Sequence, residues 1–325
     1  MFAVFVSVLA LPTPHEPPRL RKASALRSRG EAGTGPPAAK PGAPPSPVPE
    51  REAEAAEVIE VGPELRVQGP HERAGSRVTA AIFGAHTFGA ILFAHVPKGP
   101  FRMGSKEDNP SADDDEKPQF TFDIPYDFWI SRFPVTNAQF AQYAERVHPA
   151  FKPPSDWQER SNHPVVGVSW NDAIAYCRWL NQEFASELGV SRFRLPTEAE
   201  WEKAARGEYG NEWPWGNTFD PARCNSRESG IDGATPVGQF SPQGDGPYGA
   251  ADMAGNVWEW CQSLIKKYPY KPDDGREDLK AGGPRVLRGG SFDDDSVYVR
   301  CAFRDGSDPY LQGWDVGVRL VVSPS

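Results

Sequence analysis

The chain is short of the residues that build metal and redox centres. Its 325 residues include four cysteines and no Cys-x-x-Cys pair, so the sequence has no zinc signature. Six histidines are scattered along the chain and share no ligand spacing; they are His15, His71, His86, His95, His148 and His163. These absences argue against a metal enzyme that depends on histidine ligands.

Positive charge and long apolar runs are also lacking. The formal net charge of −9 argues against nucleic acid as a main partner. The apolar run Phe2–Leu11 is shorter than the ~20 residues that a membrane helix needs, so no membrane span is predicted. No Lys or Arg precedes this run, which makes it a poor signal peptide. The compartment is left open, with the cytoplasm favoured over export.

Apolar residues make up only 38% of the chain, and its 34 prolines are many, which indicates that part of it does not fold. From Pro12 to about Gly75 the sequence is low in complexity and rich in Pro, Ala, Glu and Arg, and it has too little apolar surface to offset the entropy of ordering. We therefore predict a disordered N-terminal region, residues 1–77, and a folded domain over residues 78–325. Ten tryptophans and 18 phenylalanines indicate that this domain has a substantial core.

Three short helices are predicted from their capping residues. Thr136 is an expected N-cap, with Phe140, Tyr143, Ala144 and Val147 on one face. Ser169 with Asp172, and Thr197 with Glu200, form the spacing of a capping box ahead of apolar periodicity. Gly207 is a plausible stop for the third helix.

Short strands alternate with these helices. The spacing of Phe120, Phe122 and Ile124 is typical of a strand, and Phe128–Ile130 predicts another. Near the C-terminus we predict strands at Val286–Leu287, at Tyr298–Phe303 and from Val316. From Gly207 to Gly249 the chain is rich in turn residues, and so long a loop is usually tied down.

Seven phrases occur in an order that is highly specific. They are Arg102–Ser105 (RMGS), Phe133–Asn137 (FPVTN), His163–Trp170 (HPVVGVSW), Arg194–Glu202 (RLPTEAEWE), Pro214–Asn217 (PWGN), Gly255–Trp260 (GNVWEW) and Arg288–Ser291 (RGGS). Together they resemble the sulfatase-modifying-factor family, typified by formylglycine-generating enzyme, from about Val96 to Val322. This resemblance implies an α+β domain with the C-type-lectin-like fold, in which ordered loops outnumber regular elements.

The catalytic chemistry of that family depends on two cysteines after the Gly-Gly-Ser turn, which hold a soft Cu(I) ion. Here Asp294 stands in the place of the first cysteine, and the second has no counterpart. A carboxylate is a hard ligand and does not replace a thiolate for Cu(I). The resemblance therefore implies a non-catalytic member, with no copper expected.

A structural cysteine pair is also implied by the resemblance. It would join Cys177, on the second predicted helix, to Cys301. Two alternatives stay open, a disulfide between them or two buried free thiols. The resemblance assigns no further role to Cys224 or Cys261.

Structural Ca²⁺ is the other property that the family implies. The ligands of a first site would be Asp252, the backbone oxygens of Gly255 and Val257, and Glu259. A second site would use Asn225, the carbonyl of Ser226 and, with a looser fit, Asp232. Calcium takes hard oxygen ligands of this kind. The alternative is that Asp252 and Glu259 cap backbone N–H groups with no ion present.

The stretch Arg285–Arg319 has an unusual composition for a series of turns. Large aromatic side chains stand among Asp, Ser and Gly at loop positions, a mixture that binding surfaces use. The candidate contact residues are Phe292, Asp293, Asp294, Asp295, Val297, Tyr298, Phe303, Asp305, Ser307, Asp308, Tyr310, Leu311, Gly313, Trp314 and Asp315. We predict that this stretch binds an unidentified protein or surface ligand.

The same stretch resembles the variable protein of a diversity-generating retroelement, in which Asn codons are rewritten while other positions stay fixed. The fixed positions would be Gly289, Gly290, Ser291, Val299, Arg300, Ala302, Arg304, Pro309, Gly317 and Arg319. Other interpretations remain: Val297 and Phe303 as core residues, Asp293–Asp295 as a solvated turn, or a regulatory relative without diversification. An oxidoreductase of the family, or one with altered iron-dependent chemistry, is the enzymatic alternative, and the scattered histidines argue against iron.

Overall fold

The computed structural model describes residues 78–81, 91–152, 155–184 and 191–324. All of them belong to one compact unit of the chain, Glu60–Ser325. The predicted disordered region, residues 1–77, lies outside the described residues, so this prediction stays open.

Eleven strands and three α-helices make up the regular structure of these residues. The strands are β1 (Val78–Ala81), β2 (Ile91–Val96), β3 (Gly99–Met103), β4 (Phe120–Ile124), β5 (Phe128–Ser131), β6 (Ser191–Arg194), β7 (Trp258–Leu264), β8 (Arg285–Arg288), β9 (Arg304–Ser307), β10 (Val316–Gly317) and β11 (Val321–Pro324). The helices are α1 (Asn137–Arg146), α2 (Trp170–Glu183) and α3 (Glu198–Arg206). Long loops join them, so the fold is α+β and loop-rich, as predicted.

Two larger sheets organise the domain, and β3 and β4 form a separate antiparallel two-stranded sheet. A five-stranded sheet has the order β1-β2-β5-β11-β6, and every neighbouring pair in it is antiparallel. A four-stranded sheet has the order β10-β7-β8-β9, in which the β10–β7 pair is parallel and the other two pairs are antiparallel. Because β10 and β11 lie in different sheets, the last residues of the chain connect the C-terminal loops to both.

The three predicted helix starts are confirmed. Ser169 Oγ accepts a hydrogen bond from Asp172 N, and Asp172 Oδ2 accepts one from Ser169 N, which completes a capping box at α2. Thr136 at α1 and Thr197 at α3 form equivalent boxes. One predicted core residue is wrong: Val147 is 53% exposed, because α1 ends at Arg146 and Val147 is its C-cap.

The predicted strand at Tyr298–Phe303 is also wrong. These residues form successive turns, in which Tyr298 N and Phe303 N donate to Asp295 O and Arg300 O. Burial does not alternate there, since Cys301, Ala302 and Phe303 are all buried. The strand that does pair with β8 is β9, whose polar sequence Arg-Asp-Gly-Ser carries no apolar period.

Buried ion pairs hold the loops against the core. Arg288 bonds Glu202, Arg300 bonds Glu116 at 2.6 Å, Arg304 bonds Glu198 at 2.6 Å, and Arg319 bonds Glu259 at 2.8 Å. Every side chain in these four pairs is at most 1% exposed. Breaking a buried pair leaves an uncompensated charge, so these contacts restrict where the C-terminal stretch can lie. No helix among the described residues is both long and apolar enough to cross a bilayer.

Candidate functional site

The C-terminal stretch separates into buried and exposed positions. Nine of the ten positions predicted as fixed are buried, and Pro309 is half-buried. Gly289 and Gly290 turn the chain with φ of 95° and 70°, and a Cβ on Gly290 would lie 2.8 Å from the Val299 side chain. The fixed set therefore forms the support of this stretch.

Ten of the fifteen predicted contact residues reach solvent. Five are exposed, namely Asp293, Val297, Asp308, Tyr310 and Trp314, and five are half-buried, namely Asp295, Tyr298, Asp305, Ser307 and Leu311. Tyr310 is 78% and Trp314 is 45% exposed, so these two rings are available as anchors. Val297 is 37% exposed, which excludes it from the core.

The other five contact residues are buried: Phe292, Asp294, Phe303, Gly313 and Asp315. Phe303 packs against Trp258 and Tyr298, with ring centroids 6.0 and 4.9 Å apart, and is 7% exposed. This burial contradicts the prediction of Phe303 as a contact residue and agrees with its alternative interpretation as a core residue. Phe292 lies edge-on to Trp314 at 5.0 Å and so supports an exposed ring.

One buried serine ties two loops of the surface together. Ser291 Oγ lies 2.9 Å from Asp294 Oδ2 and 3.0 Å from Asp315 Oδ2, and Asp294 Oδ2 also accepts from Ser291 N. A hydroxyl carries one proton, so it can donate to only one of the two carboxylates. The other contact is satisfied when the carboxyl of Asp315 is itself protonated. Burial, with Asp294 and Asp293 close by, raises the pKa of Asp315 to about 6.

A short 3₁₀ turn at Arg227–Ser229 holds the acidic turn Asp293–Asp295 from outside. Arg227 donates its backbone N–H to Asp294 O and its guanidinium to Asp293 O, and Glu228 Oε1 accepts from Ser296 N at 2.7 Å. The turn that carries the three aspartates is therefore held against Arg227–Ser229 by hydrogen bonds. Sequence reasoning missed Arg227 and Glu228, because their partners Asp293 and Ser296 lie 66 and 68 residues away in the chain.

A cleft of about 460 Å³ borders the surface, and sequence reasoning missed it as well. Its walls combine aromatic, charged and polar side chains, among them Asn137, Lys152, Asp156, Trp157, Arg160, His163, Phe292, Gln312 and Trp314. Of its lining residues, Phe292 and Trp314 were among the predicted contacts. The cleft has the size and mixed lining of a small-ligand site.

The four cysteines are buried free thiols in the structure. The disulfide Cys177–Cys301 is therefore not formed, and the alternative of two buried thiols holds. Burial raises the pKa of Cys177, Cys224 and Cys301 to about 12, and it raises that of Cys261 as well. A thiolate is disfavoured at each position, which makes these sulfurs poor nucleophiles and poor metal ligands.

The predicted calcium residues lie together, but Glu259 does not fit as a ligand. Its carboxylate is bonded by Arg319 through two nitrogens, each at 2.8 Å, and by Trp201 Nε1 at 2.6 Å. Asp252 has φ of 55° and accepts from Gly238 N at 2.6 Å, and burial raises its pKa to about 6.

At the second predicted calcium site, the protein already uses most of the proposed oxygens. Asn225 Oδ1 lies 3.2 Å from Ser229 Oγ, the Ser226 carbonyl accepts from Ser229 N at 2.9 Å, and Asp232 is exposed. No group of three or more His, Cys, Asp or Glu residues suited to a metal occurs in the described part of the chain. Calcium stays a prediction, and a chelator tests it: an unchanged melting temperature would exclude a structural ion.

A loop-rich α+β domain that carries a C-terminal surface on two sheets has the C-type-lectin-like arrangement. The chain belongs to the family of sulfatase-modifying factor enzyme 1-like domains, whose model matches residues 91–324.

The chain is about equally similar in sequence to a relative named as an enzyme and to one named as inactive. The chain is 32% identical to a formylglycine-generating enzyme of Thermomonospora curvata over 70% of this chain and 92% of that protein. It is 34% identical to the inactive Cα-formylglycine-generating enzyme 2 of Bos taurus, over 63% of this chain and 77% of that protein. Membership of the family therefore does not decide whether this chain is catalytic.

Solved structures share the fold. The PvdO protein of Pseudomonas aeruginosa superposes with a TM-score of 0.62 at 23% identity, over 75% of this chain and all of that one. Treponema denticola variable protein 1 superposes with a TM-score of 0.59 at 23% identity, over 75% of this chain and 98% of that one.

Proposed function

We propose that this chain is a non-catalytic binding protein that presents the stretch Arg285–Arg319 to a ligand, and that this stretch is diversified as in a retroelement variable protein. One observation carries the proposal. Nine of the ten positions that the family pattern keeps fixed are buried, whereas most of the positions that differ from it reach solvent. Exchange at the exposed positions leaves the fixed support in place, which a diversified surface requires.

The contacts of the replaced cysteine position support a binding role. Asp294 is 8% exposed and is bonded to Ser291, so this position serves to hold a turn. The four thiols lie in the interior with raised pKa values, which disfavours the thiolates that Cu(I) requires. Among relatives, an inactive formylglycine-generating enzyme 2 is a precedent for loss of catalysis, and Treponema denticola variable protein 1 is a precedent for this fold in a variable protein.

The diversification is tested at the gene. A near-identical copy of the coding region for Arg285–Arg319 and a reverse transcriptase gene should lie beside it. Sequencing of related strains should show substitutions at the exposed positions and none at Gly289, Gly290 or Arg300. A gene neighbourhood without the repeat removes diversification and leaves a regulatory binding relative as the alternative.

The enzymatic alternative has a separate test. The purified chain is incubated with copper and a peptide that carries a Cys-x-Pro-x-Arg sequence. We expect no conversion of the cysteine to an aldehyde. Turnover above that of a heat-inactivated control would refute the non-catalytic assignment.

A further inference from the structure

The cleft beside the variable surface, the exposed face of the stretch Arg285–Arg319, has three properties that together specify a class of ligand. It has aromatic walls, from Trp157, Phe292 and Trp314. It has an excess of positive charge, and it has polar atoms that no described residue satisfies. We infer that this cleft binds an acylated aromatic amino acid through its ring and its free carboxylate, as at the C-terminus of a peptide. The inference deepens the proposed binding function and rests on it.

The aromatic walls suit a planar ring. Trp314 is 45% exposed, and the Phe292 ring supports it edge-on from below at 5.0 Å. Trp157 lines the same cleft and is half-buried. A ring placed among these side chains covers apolar surface that is now in contact with water, and aromatic rings add a preference for edge-on or offset contact.

The charges of the cleft favour an anion. Lys152 and Arg160 face a single lining carboxylate, Asp156, so the lining carries one excess positive charge within a chain of net charge −9. The Arg160–Asp156 pair is loose, at 3.7 Å, and Arg160 donates at 3.3 Å to the Ala234 carbonyl. Lys152 is exposed and has no ion pair with any described residue. A ligand carboxylate would take charge-assisted hydrogen bonds from both cations.

Two polar side chains of the cleft lining, Asn137 and His163, favour a ligand that also carries an amide N–H. Asn137 is 6% exposed and donates through Nδ2 to the Arg160 carbonyl at 2.9 Å, which fixes its side-chain orientation. Its Oδ1 and the Nδ1 of His163 have no partner among the described residues. Two lining residues thus carry an unpaired polar atom, and a ligand N–H beside the carboxylate would pair with an acceptor among them. The N–H of an acylated amino acid stands one carbon from its carboxylate.

Calorimetric titration of the full chain with matched probes tests this assignment. The probes are N-acetyl-tyrosine, N-acetyl-tyrosinamide, N-acetyl-alanine, N-acetyl-argininamide and the peptide acetyl-Gly-Gly-Tyr. We expect N-acetyl-tyrosine to bind about tenfold more tightly than its amide, since the amide carries no charge to pair with Lys152 and Arg160. N-acetyl-alanine should bind at least tenfold more weakly than N-acetyl-tyrosine. Tighter binding of acetyl-Gly-Gly-Tyr than of N-acetyl-tyrosine identifies a peptide terminus as the source, and equal binding identifies the free acylated amino acid.

Variants locate the interaction. Arg160→Gln and Lys152→Gln should each reduce the ratio of acid to amide affinity at least threefold, and Trp157→Ala should weaken both tyrosine probes by similar factors. Lys280→Gln, at an exposed lysine outside the cleft, is the matched control and should change nothing. Equal affinity for acid and amide, preference for N-acetyl-argininamide, or an unaltered ratio in both cation variants would each refute the assignment.

The proposed function fails in a different experiment. Copper-dependent turnover of a cysteinyl peptide would overturn the non-catalytic role whether or not the tyrosine probes bind. Conversely, a variable surface that captures its target while no probe enters the cleft would overturn only the ligand class inferred for the cleft.

Discussion

Replacement of Asp315 by Asn should stabilise the domain at neutral pH and leave its stability almost unchanged near pH 4. Asp315 is 6% exposed and shares the hydroxyl of Ser291 with Asp294. Burial raises the pKa of Asp315 from 3.8 to about 6 in the folded state. The folded chain therefore holds a proton on this group between these two values, whereas the unfolded chain has released it.

The sign and size of the change in unfolding free energy follow from proton linkage. Stability falls as the pH rises through the window from about 4 to 6, because the unfolded state binds fewer protons there. The shift of about two pKa units corresponds to a loss of up to about 3 kcal/mol by pH 7. An asparagine does not ionise, and its Nδ2 can donate to Ser291 Oγ, so the variant keeps the contact and avoids this loss.

Urea unfolding of both proteins at several pH values between 4 and 7.5 measures the effect. The quantity to compare is the difference in unfolding free energy between variant and parent, because Asp252, with its pKa also raised to about 6, changes the absolute profiles of both. The difference should increase by about 2–3 kcal/mol across the window. Asp308→Asn, at an exposed carboxylate, should give a flat difference. A flat difference for Asp315→Asn as well would refute the reasoning.

Three further predictions test the support of the surface. Arg300→Met should destabilise the domain by about 3–5 kcal/mol, because it leaves the fully buried Glu116 unpaired, whereas Arg223→Met, at an exposed pair, should cost less than about 1 kcal/mol in the same urea assay. Ser169→Ala should cost about 1 kcal/mol by removal of the α2 cap, as measured by thermal melting; an unchanged midpoint would contradict the capping role. The four thiols should not react with a thiol reagent at pH 8 until urea is added, since all are buried and their pKa values are raised; one rapidly labelled cysteine would refute this.

Local signals predicted the helices and several strands correctly. Capping boxes span three residues, so Thr136, Ser169 and Thr197 are recognisable without any knowledge of tertiary contacts. Alternation at Phe120–Ile124 was equally local and was confirmed as β4. Where burial came from long-range packing, the same reasoning failed: Tyr298–Phe303 has apolar residues at alternate positions, yet it folds as turns around the Arg300–Glu116 pair.

The candidate site was recovered only in part for the same physical reason. Composition singled out Tyr310 and Trp314, both of which are exposed, because an aromatic ring in a polar turn is unusual whatever surrounds it. The cleft, by contrast, joins Asn137, Lys152, residues 156–163 and Trp314, which approach one another only when the chain is folded. No spacing in the sequence indicates that these residues lie together. From the sequence alone, Lys152 and Arg160 are indistinguishable from other surface cations.

The burial of Asp294 connects these observations. Asp294 accepts hydrogen bonds from the backbone N–H and the hydroxyl of Ser291. The contact closes the turn that carries Phe292, while Asp315 holds the loop of Trp314 to the same hydroxyl. The two rings that border the cleft are thus positioned by polar contacts around Ser291. If, as we propose, the chain is non-catalytic and Asp294 replaces a cysteine of the family, loss of catalysis and formation of a binding wall follow from one substitution, because a cysteine at 294 would bond this turn only weakly.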